Sequence, residues 1–227
     1  MKCIVFAMEK EAKPLLENPL LSIKKEKQFG FTKINECSVN GKDFIVAISG
    51  IGKAFAASAI TSIANNYPEV DQIINAGVGG SNNKDLANIL NCVISTKLYE
   101  HDLDTTPIGD PYGMISGINI IEIPSDTDLQ KELGSAAKKA NCKVVYAPIS
   151  SGDQFISVAE QRKKIASHFD SLCYDMESAP MGQIAYVYKI KFSALRIISD
   201  CADSAEDYEK NLPHATGLLS KILINLF

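Results

Sequence analysis

Arginine is almost missing from this chain: Arg162 and Arg196 are the only two in 227 residues, and every other basic side chain is lysine or one of three histidines. A phosphate site built from several guanidinium forks is therefore excluded. The net charge of −4 gives no electrostatic reason to expect nucleic acid or an acidic membrane as partner. No stretch approaches the roughly 20 apolar residues that span a bilayer. The N-terminal Met1-Lys2-Cys3-Ile4-Val5-Phe6-Ala7 is too short an apolar run for a signal peptide and passes straight into Glu9-Lys10-Glu11, so it reads as a first core strand. The histidines (101, 168, 214) are too widely spaced for a zinc site. The six cysteines contain no Cys-x-x-Cys pair, and several sit in apolar runs. Buried free thiols in a reducing compartment follow, with a cytoplasmic location as the expectation.

The remaining composition is that of an ordinary globular protein, 46% hydrophobic and 22% charged. The length suits a single domain over 1–227. Short β-branched runs alternate with helical segments. Strands are expected at 3–8, 43–49, 72–76, 92–96, 143–149, 171–176 and 192–199. Helices are expected at 53–65, 126–139, 158–169 and 178–188, with a last one ending at Phe227. Several strands are continuously apolar, which marks burial on both faces and hence an α/β sheet covered on two sides. Residues 99–117, rich in Asp, Pro and Gly, form the one long irregular loop, and loops of that length tend to be functional.

Ligands of open α/β sheets bind beyond the carboxyl ends of the strands. Glu9-Lys10-Glu11 follows the first strand, and Ser49-Gly50-Ile51-Gly52-Lys53 the second. Asn75-Ala76-Gly77-Val78-Gly79-Gly80 and Ser150-Ser151-Gly152-Asp153-Gln154-Phe155 come next, then Asp175-Met176-Glu177 and Ser199-Asp200. Three acidic sites and three glycine-rich turns thus converge on one edge. The turn at Gly77 lacks the third glycine of a dinucleotide fingerprint, since position 82 is asparagine, and Gly50-Ile51-Gly52-Lys53 lacks the P-loop spacing. The glycines are read instead as places where a ligand approaches the backbone closely.

Each acid has a bland reading when taken singly. Glu11 is a first-turn helix acid favoured by the dipole, and Glu177 and Asp200 are helix-start residues. Their joint occurrence at strand ends tips the balance toward glycosidic cleavage. That reaction needs an acid at the leaving group, and a carboxylate that activates water behind an oxocarbenium-like sugar. Where a purine is the leaving group, a carboxyl with raised pKa protonates a ring nitrogen and an aromatic such as Phe155 stacks on the base.

These blocks, with His101-Asp102-Leu103-Asp104 and the continuation through Cys201-Ala202-Asp203, fall in one order from near residue 1 to about 203. As a set they resemble the bacterial 5′-methylthioadenosine/S-adenosylhomocysteine nucleosidases of the purine nucleoside phosphorylase superfamily. The resemblance implies a three-layer α/β/α fold with a central mixed, partly barrel-like sheet. It implies that Glu11 activates water, and that Asp200 protonates adenine N7 with Ser199 orienting it. Glu177 then holds the ribose hydroxyls, helped by Met176. Phe155 stacks on adenine while backbone groups of Phe155 and Ile156 read its edge. Arg196 sits near the water, and Met8, Ile51 and Val78 line the pocket. No metal or organic cofactor is implied. The family is a homodimer whose loop after the His-Asp segment reaches the neighbour's alkylthio pocket, a role that falls here to Ile108. The chain departs from the family at Val78, where a serine is usual, and at Asp175, which replaces a glutamate. Ile108 stands for a phenylalanine. The lid at 204–213 is shorter, with Tyr208 standing for its phenylalanine.

The rival activities are phosphorolysis on the same fold, hydrolysis of aminodeoxyfutalosine, and nucleoside sensing without catalysis. Phosphorolysis suffers from the missing arginines and from a carboxylate at Glu11 that repels phosphate. Sensing is opposed by the intact Glu11, Glu177 and Asp200, and only Val78 supports it. Aminodeoxyfutalosine needs the same machinery with a roomier tail pocket.

Overall fold

Cys3, Ile4, Val5 and Phe6 are apolar without a break because helices cover both faces of their strand. In the computed structural model, which describes residues 1–201 and 205–227, Cys3 and Val5 join one core cluster while Ile4 and Phe6 join another. The chain order is β1 (Lys2–Phe6), α1 (Glu9–Leu16), β2 (Leu21–Phe29), β3 (Thr32–Val39), β4 (Lys42–Ile48), α2 (Lys53–Asn66), β5 (Gln72–Ser81) and β6 (Cys92–Glu100). A short 3-10 turn at Thr106–Ile108 precedes β7 (Ile123–Pro124). Then follow α3 (Thr127–Lys139), β8 (Val144–Ser151), α4 (Ala159–Ala166), β9 (Cys173–Asp175), α5 (Ser178–Tyr188), β10 (Lys191–Asp200) and α6 (Ala205–Ile224).

One sheet carries all these strands in the order β10-β6-β8-β9-β5-β1-β4-β3-β2, with β7 on β6. Because β10 also pairs with β5, the strands β5, β10, β6, β8 and β9 close on themselves, which is the expected partial barrel. Helices α2 and α5 pack one face through Ala56, Ile60, Ile63, Met181 and Ala185. On the other, α1, α3 and α6 pack through Leu15, Leu129, Leu133, Leu219 and Ile222. Burying each such Ile or Leu contributes roughly 1.5–3 kcal/mol before chain entropy is set against it. Five of the cysteines (3, 37, 92, 142 and 173) are buried thiols. Among the described residues no helix is long and apolar enough to cross a membrane.

Three features differ from the sequence expectation. The hairpin β2–β3 was not expected. β2 is an exposed edge strand rich in lysine, so it carries no apolar pattern. Its partner β3 is joined to β4 by Asn40-Gly41, both at positive φ (51° and 77°), the two-residue hairpin turn that this dipeptide favours. Helix α4 ends at Ala166, three residues before the expected end. Most important for the site, the segment after Ala76 is not a turn. β5 runs on to Ser81 because β10 pairs with it in parallel as far as Gly80.

Candidate active site

The carboxyl ends of β1, β4, β5, β8, β9 and β10 meet at one cavity, as the strand-end reading requires. Its walls include Met8, Glu11, Ile51, Val78, Phe155, Ile156, Met176, Glu177, Ser199 and Asp200. Every one of these was a candidate from the sequence.

Glu11 reaches the cavity from the first turn of α1. One oxygen, Oε2, accepts the Met8 N–H at 3.1 Å, which satisfies a free donor at the start of the helix. The other, Oε1, accepts the Val78 N–H at 3.0 Å. The bland reading of Glu11 holds, and the same side chain also lines the cavity. Burial pushes its pKa up, opposed by the nearby Arg196 and by these two N–H groups. A more basic carboxylate is a better proton acceptor near neutral pH.

Asp200 ends β10, where a register shift between Ile198 and Asp200 re-aims the chain. Ser199 Oγ lies 2.9 Å from Asp200 Oδ2 as donor and 3.4 Å from the Gly79 carbonyl. Asn211 of α6 donates to the Ser199 carbonyl at 2.9 Å, holding the bulge in place.

The glycines of β5 make room for these acids. A Cβ on Gly77 would lie 2.8 Å from Glu11 Oε1, and one on Gly80 would lie 2.9 Å from Asp200 Oδ1. They admit the protein's own carboxylates, a role that glycine's reputation as a turn former conceals.

Glu177 sits at the N-terminus of α5 and turns its carboxylate away from the helix, accepting the Gly52 N–H at 2.9 Å. Burial, reinforced by the neighbouring Asp175, lifts its pKa to about 8. Asp175 itself is saturated. It accepts from Ser151 Oγ (2.5 Å), Ser178 Oγ and the Glu177 and Ser178 N–H groups, and it pairs with Arg196 Nε at 2.9 Å. Its shorter side chain therefore serves as a structural anchor in the cavity wall.

Two candidates do not line the cavity. Arg196 is wholly buried, held by Asp175, by the Asn75 carbonyl (3.1 Å) and by the Asn75 side chain, and it acts on Glu11 and Glu177 only as a nearby charge. Ile108 lies on the 3-10 turn and is 81% exposed, without a role in its own chain's cavity. Arg162 of α4 reaches the end of β10 and donates to the Cys201 carbonyl at 3.2 Å. Neither arginine lines the cavity.

The sequence reading assigned no role to Gln154 or Tyr174, which also line the cavity. For Gln154 the signal was present, since it follows the strand-end Gly152-Asp153. Tyr208, on α6, closes one side: its ring meets Phe155 edge-on at 5.8 Å and Lys10 sits 5.1 Å above it. The lid segment 204–213 includes Ser204, and the matching block at Ser199 includes Ala202 and Asp203, all three outside the described residues.

Comparison with known proteins finds relatives over nearly the whole chain. The family model described as Phosphorylase superfamily matches residues 2–227. A 5′-methylthioadenosine/S-adenosylhomocysteine nucleosidase of Haemophilus ducreyi is 32% identical over 195 residues, 85% of this chain and 83% of that protein. The nucleosidase of the same description from Buchnera aphidicola is 32% identical over 227 residues, covering 97% and 93%. Among solved structures, the nucleosidase of Neisseria meningitidis in complex with methylthio-immucillin-A superposes with a TM-score of 0.92 at 29% identity, over 99% of this chain and 97% of that one. A futalosine hydrolase of Helicobacter pylori superposes with a TM-score of 0.91 at 27% identity, over 99% and 96%.

Proposed function

The chain belongs to the phosphorylase superfamily and, within it, to the 5′-methylthioadenosine/S-adenosylhomocysteine nucleosidases, and from that premise we propose how its cavity works. The enzyme is an N-glycosyl hydrolase that splits methylthioadenosine and S-adenosylhomocysteine into adenine and the thioribose. The observation that carries the mechanism is the placement of Glu11 and Asp200 against Gly77 and Gly80 of one strand. Both acids line the one cavity, as is needed for one to protonate the base while the other activates a water behind the sugar.

In this mechanism Phe155 stacks on adenine, and the backbone of Phe155 and Ile156 reads its edge. Asp200, oriented by Ser199, protonates N7. As the glycosidic bond stretches, positive charge grows on the ribose, and the Glu11 carboxylate stabilises it. Glu177 and Met176 hold the ribose hydroxyls. Glu11 takes a proton from the water that attacks the sugar carbon. Val78 offers no hydroxyl to that water, so its position depends on Glu11, itself fixed by the Val78 N–H. Arg196 acts from behind as a fixed charge. Met8 and Ile51 receive the alkylthio tail, and a homodimer partner completes this pocket with Ile108. We assign the reaction to methionine salvage in the cytoplasm.

The similarity to a structure described as futalosine hydrolase favours a second substrate, aminodeoxyfutalosine, for the same machinery. A panel of the three nucleosides assayed for free adenine decides the matter. Efficient release from methylthioadenosine is expected. Release from aminodeoxyfutalosine alone would reassign the tail pocket, and release from none would leave a binding protein.

A further inference from the structure

The turn that holds Glu177 and the loop that carries Phe155 lie 100 residues apart in the sequence, yet they are tied together outside the cavity. The Gly52 N–H donates to Glu177. The next N–H, that of Lys53, donates to Asp153 Oδ1 at 2.8 Å, two residues before Phe155. The Asp153 N–H donates in turn to Asp102 Oδ2 at 2.9 Å. The Lys53 ammonium closes the circuit, lying 2.7 Å from Asp102 Oδ1 and 2.7 Å from Glu100 Oε2. Gly52, at φ +92°, fits only because it is glycine: a Cβ there would stand 2.8 Å from Asp153 Oδ1.

We infer that Lys53 and Asp153 are positioning residues, forming with Asp102 and Glu100 a clasp that fixes the base-stacking loop to the ribose-holding edge. The inference rests on the reading that Phe155 meets the base and Glu177 the ribose. Among the described residues, Glu11 is held by Met8 and Val78 and Asp200 by Ser199, outside the clasp. Loosening the clasp therefore weakens the joint grip on base and sugar while leaving the proton transfers in place.

Surface position makes the clasp testable without unfolding the protein. Asp153 is exposed, so Asp153→Ala removes the acceptor for Lys53 N–H at no cost to the core, and Asp153→Asn keeps it. Lys53→Met leaves the buried Glu100 without its cation. Burial already lifts Glu100 to about 7, so it takes up a proton in that variant.

The readouts are kcat and KM for methylthioadenosine, together with calorimetric affinity for 5′-methylthioformycin, whose carbon–carbon glycosidic bond resists hydrolysis. Asp153→Ala and Lys53→Met should each raise KM and weaken the analogue by about tenfold, with kcat within a factor of about two, and Asp153→Asn should restore both. The Gly52 N–H and Arg196 favour the ionised Glu177, while burial, Asp175 and Glu11 oppose it. Loosening Gly52 should therefore also move the acid limb of analogue binding to higher pH, a change that general destabilisation would not produce. Wild-type affinity in Asp153→Ala and Lys53→Met overturns the clasp and leaves the activity standing. Weakened analogue binding alongside a wild type that releases no adenine does the reverse.

Discussion

Replacing Gly77 with alanine separates the stability of β5 from the chemistry at its edge. Gly77 has an ordinary strand conformation, and the atom its new Cβ would meet is the far end of a side chain, Glu11 Oε1 at 2.8 Å. The fold can yield at that point by moving the carboxylate. Reaching ordinary contact at 3.4 Å requires a retreat of about 0.6 Å. The same retreat stretches the bond to the Val78 N–H from 3.0 Å to about 3.6 Å, beyond hydrogen-bond range. A hydrogen bond to a charged group contributes about 1.5–3 kcal/mol, and each 1.36 kcal/mol on the barrier is tenfold in rate. Gly77→Ala should thus lower kcat by roughly 10- to 100-fold with little change in KM, because Glu11 acts on water rather than on the bound nucleoside. Alanine also restricts the unfolded chain, worth about 0.4–1 kcal/mol in favour of folding. That gain offsets only part of the lost bond, so the melting temperature should fall by no more than several degrees while turnover falls roughly 10- to 100-fold. Adenine release and thermal melting on the same sample suffice. Wild-type kcat in a normally folded Gly77→Ala protein would refute the argument that this glycine exists to seat Glu11.

Three further outcomes follow from the same geometry. Asp200→Asn should keep nucleoside affinity by calorimetry yet lose at least about 10²-fold in adenine release, since an amide cannot donate the N7 proton. Glu177 has a folded pKa of about 8 against the usual carboxylate value near 4.5, so the folded state holds the extra proton and stability falls as pH rises between those values. Melting temperatures from pH 5 to pH 8.5 should decline, and Glu177→Gln should flatten the decline. Ile108→Asp should leave the isolated fold intact but shift light scattering from dimer toward monomer and raise KM for methylthioadenosine. A fully active wild-type monomer would remove Ile108 from the site.

The parts of the molecule legible in the sequence are those where one physical cause dominates. β1 and the centre of β10 show as unbroken apolar runs because both faces are buried, and their ends expose Glu11 and Asp200 as acids where none is needed for packing. β2 was illegible because an edge strand of lysines carries no burial signal. At Gly77–Gly80 the local preference of glycine pointed to a turn, whereas the governing cause is the volume claimed by Glu11, Cys173 and Asp200 from three other elements. Arg196 was legible as close to the site, but its commitment to Asp175 and Asn75 required the register of β10 on β5. The clasp of Lys53, Asp102 and Asp153 joins three distant segments, and although each lies in a block that the sequence singles out, nothing local pairs them.

The central claim is that water, and not phosphate, takes the sugar. Its most direct test is product analysis after methylthioadenosine is incubated with the enzyme in the absence of phosphate and again at high phosphate. The account predicts equal adenine release in both and free methylthioribose as the only sugar product, because Glu11 occupies the site with negative charge and neither arginine lines it. Adenine that appears only with phosphate, accompanied by the sugar 1-phosphate, would contradict it.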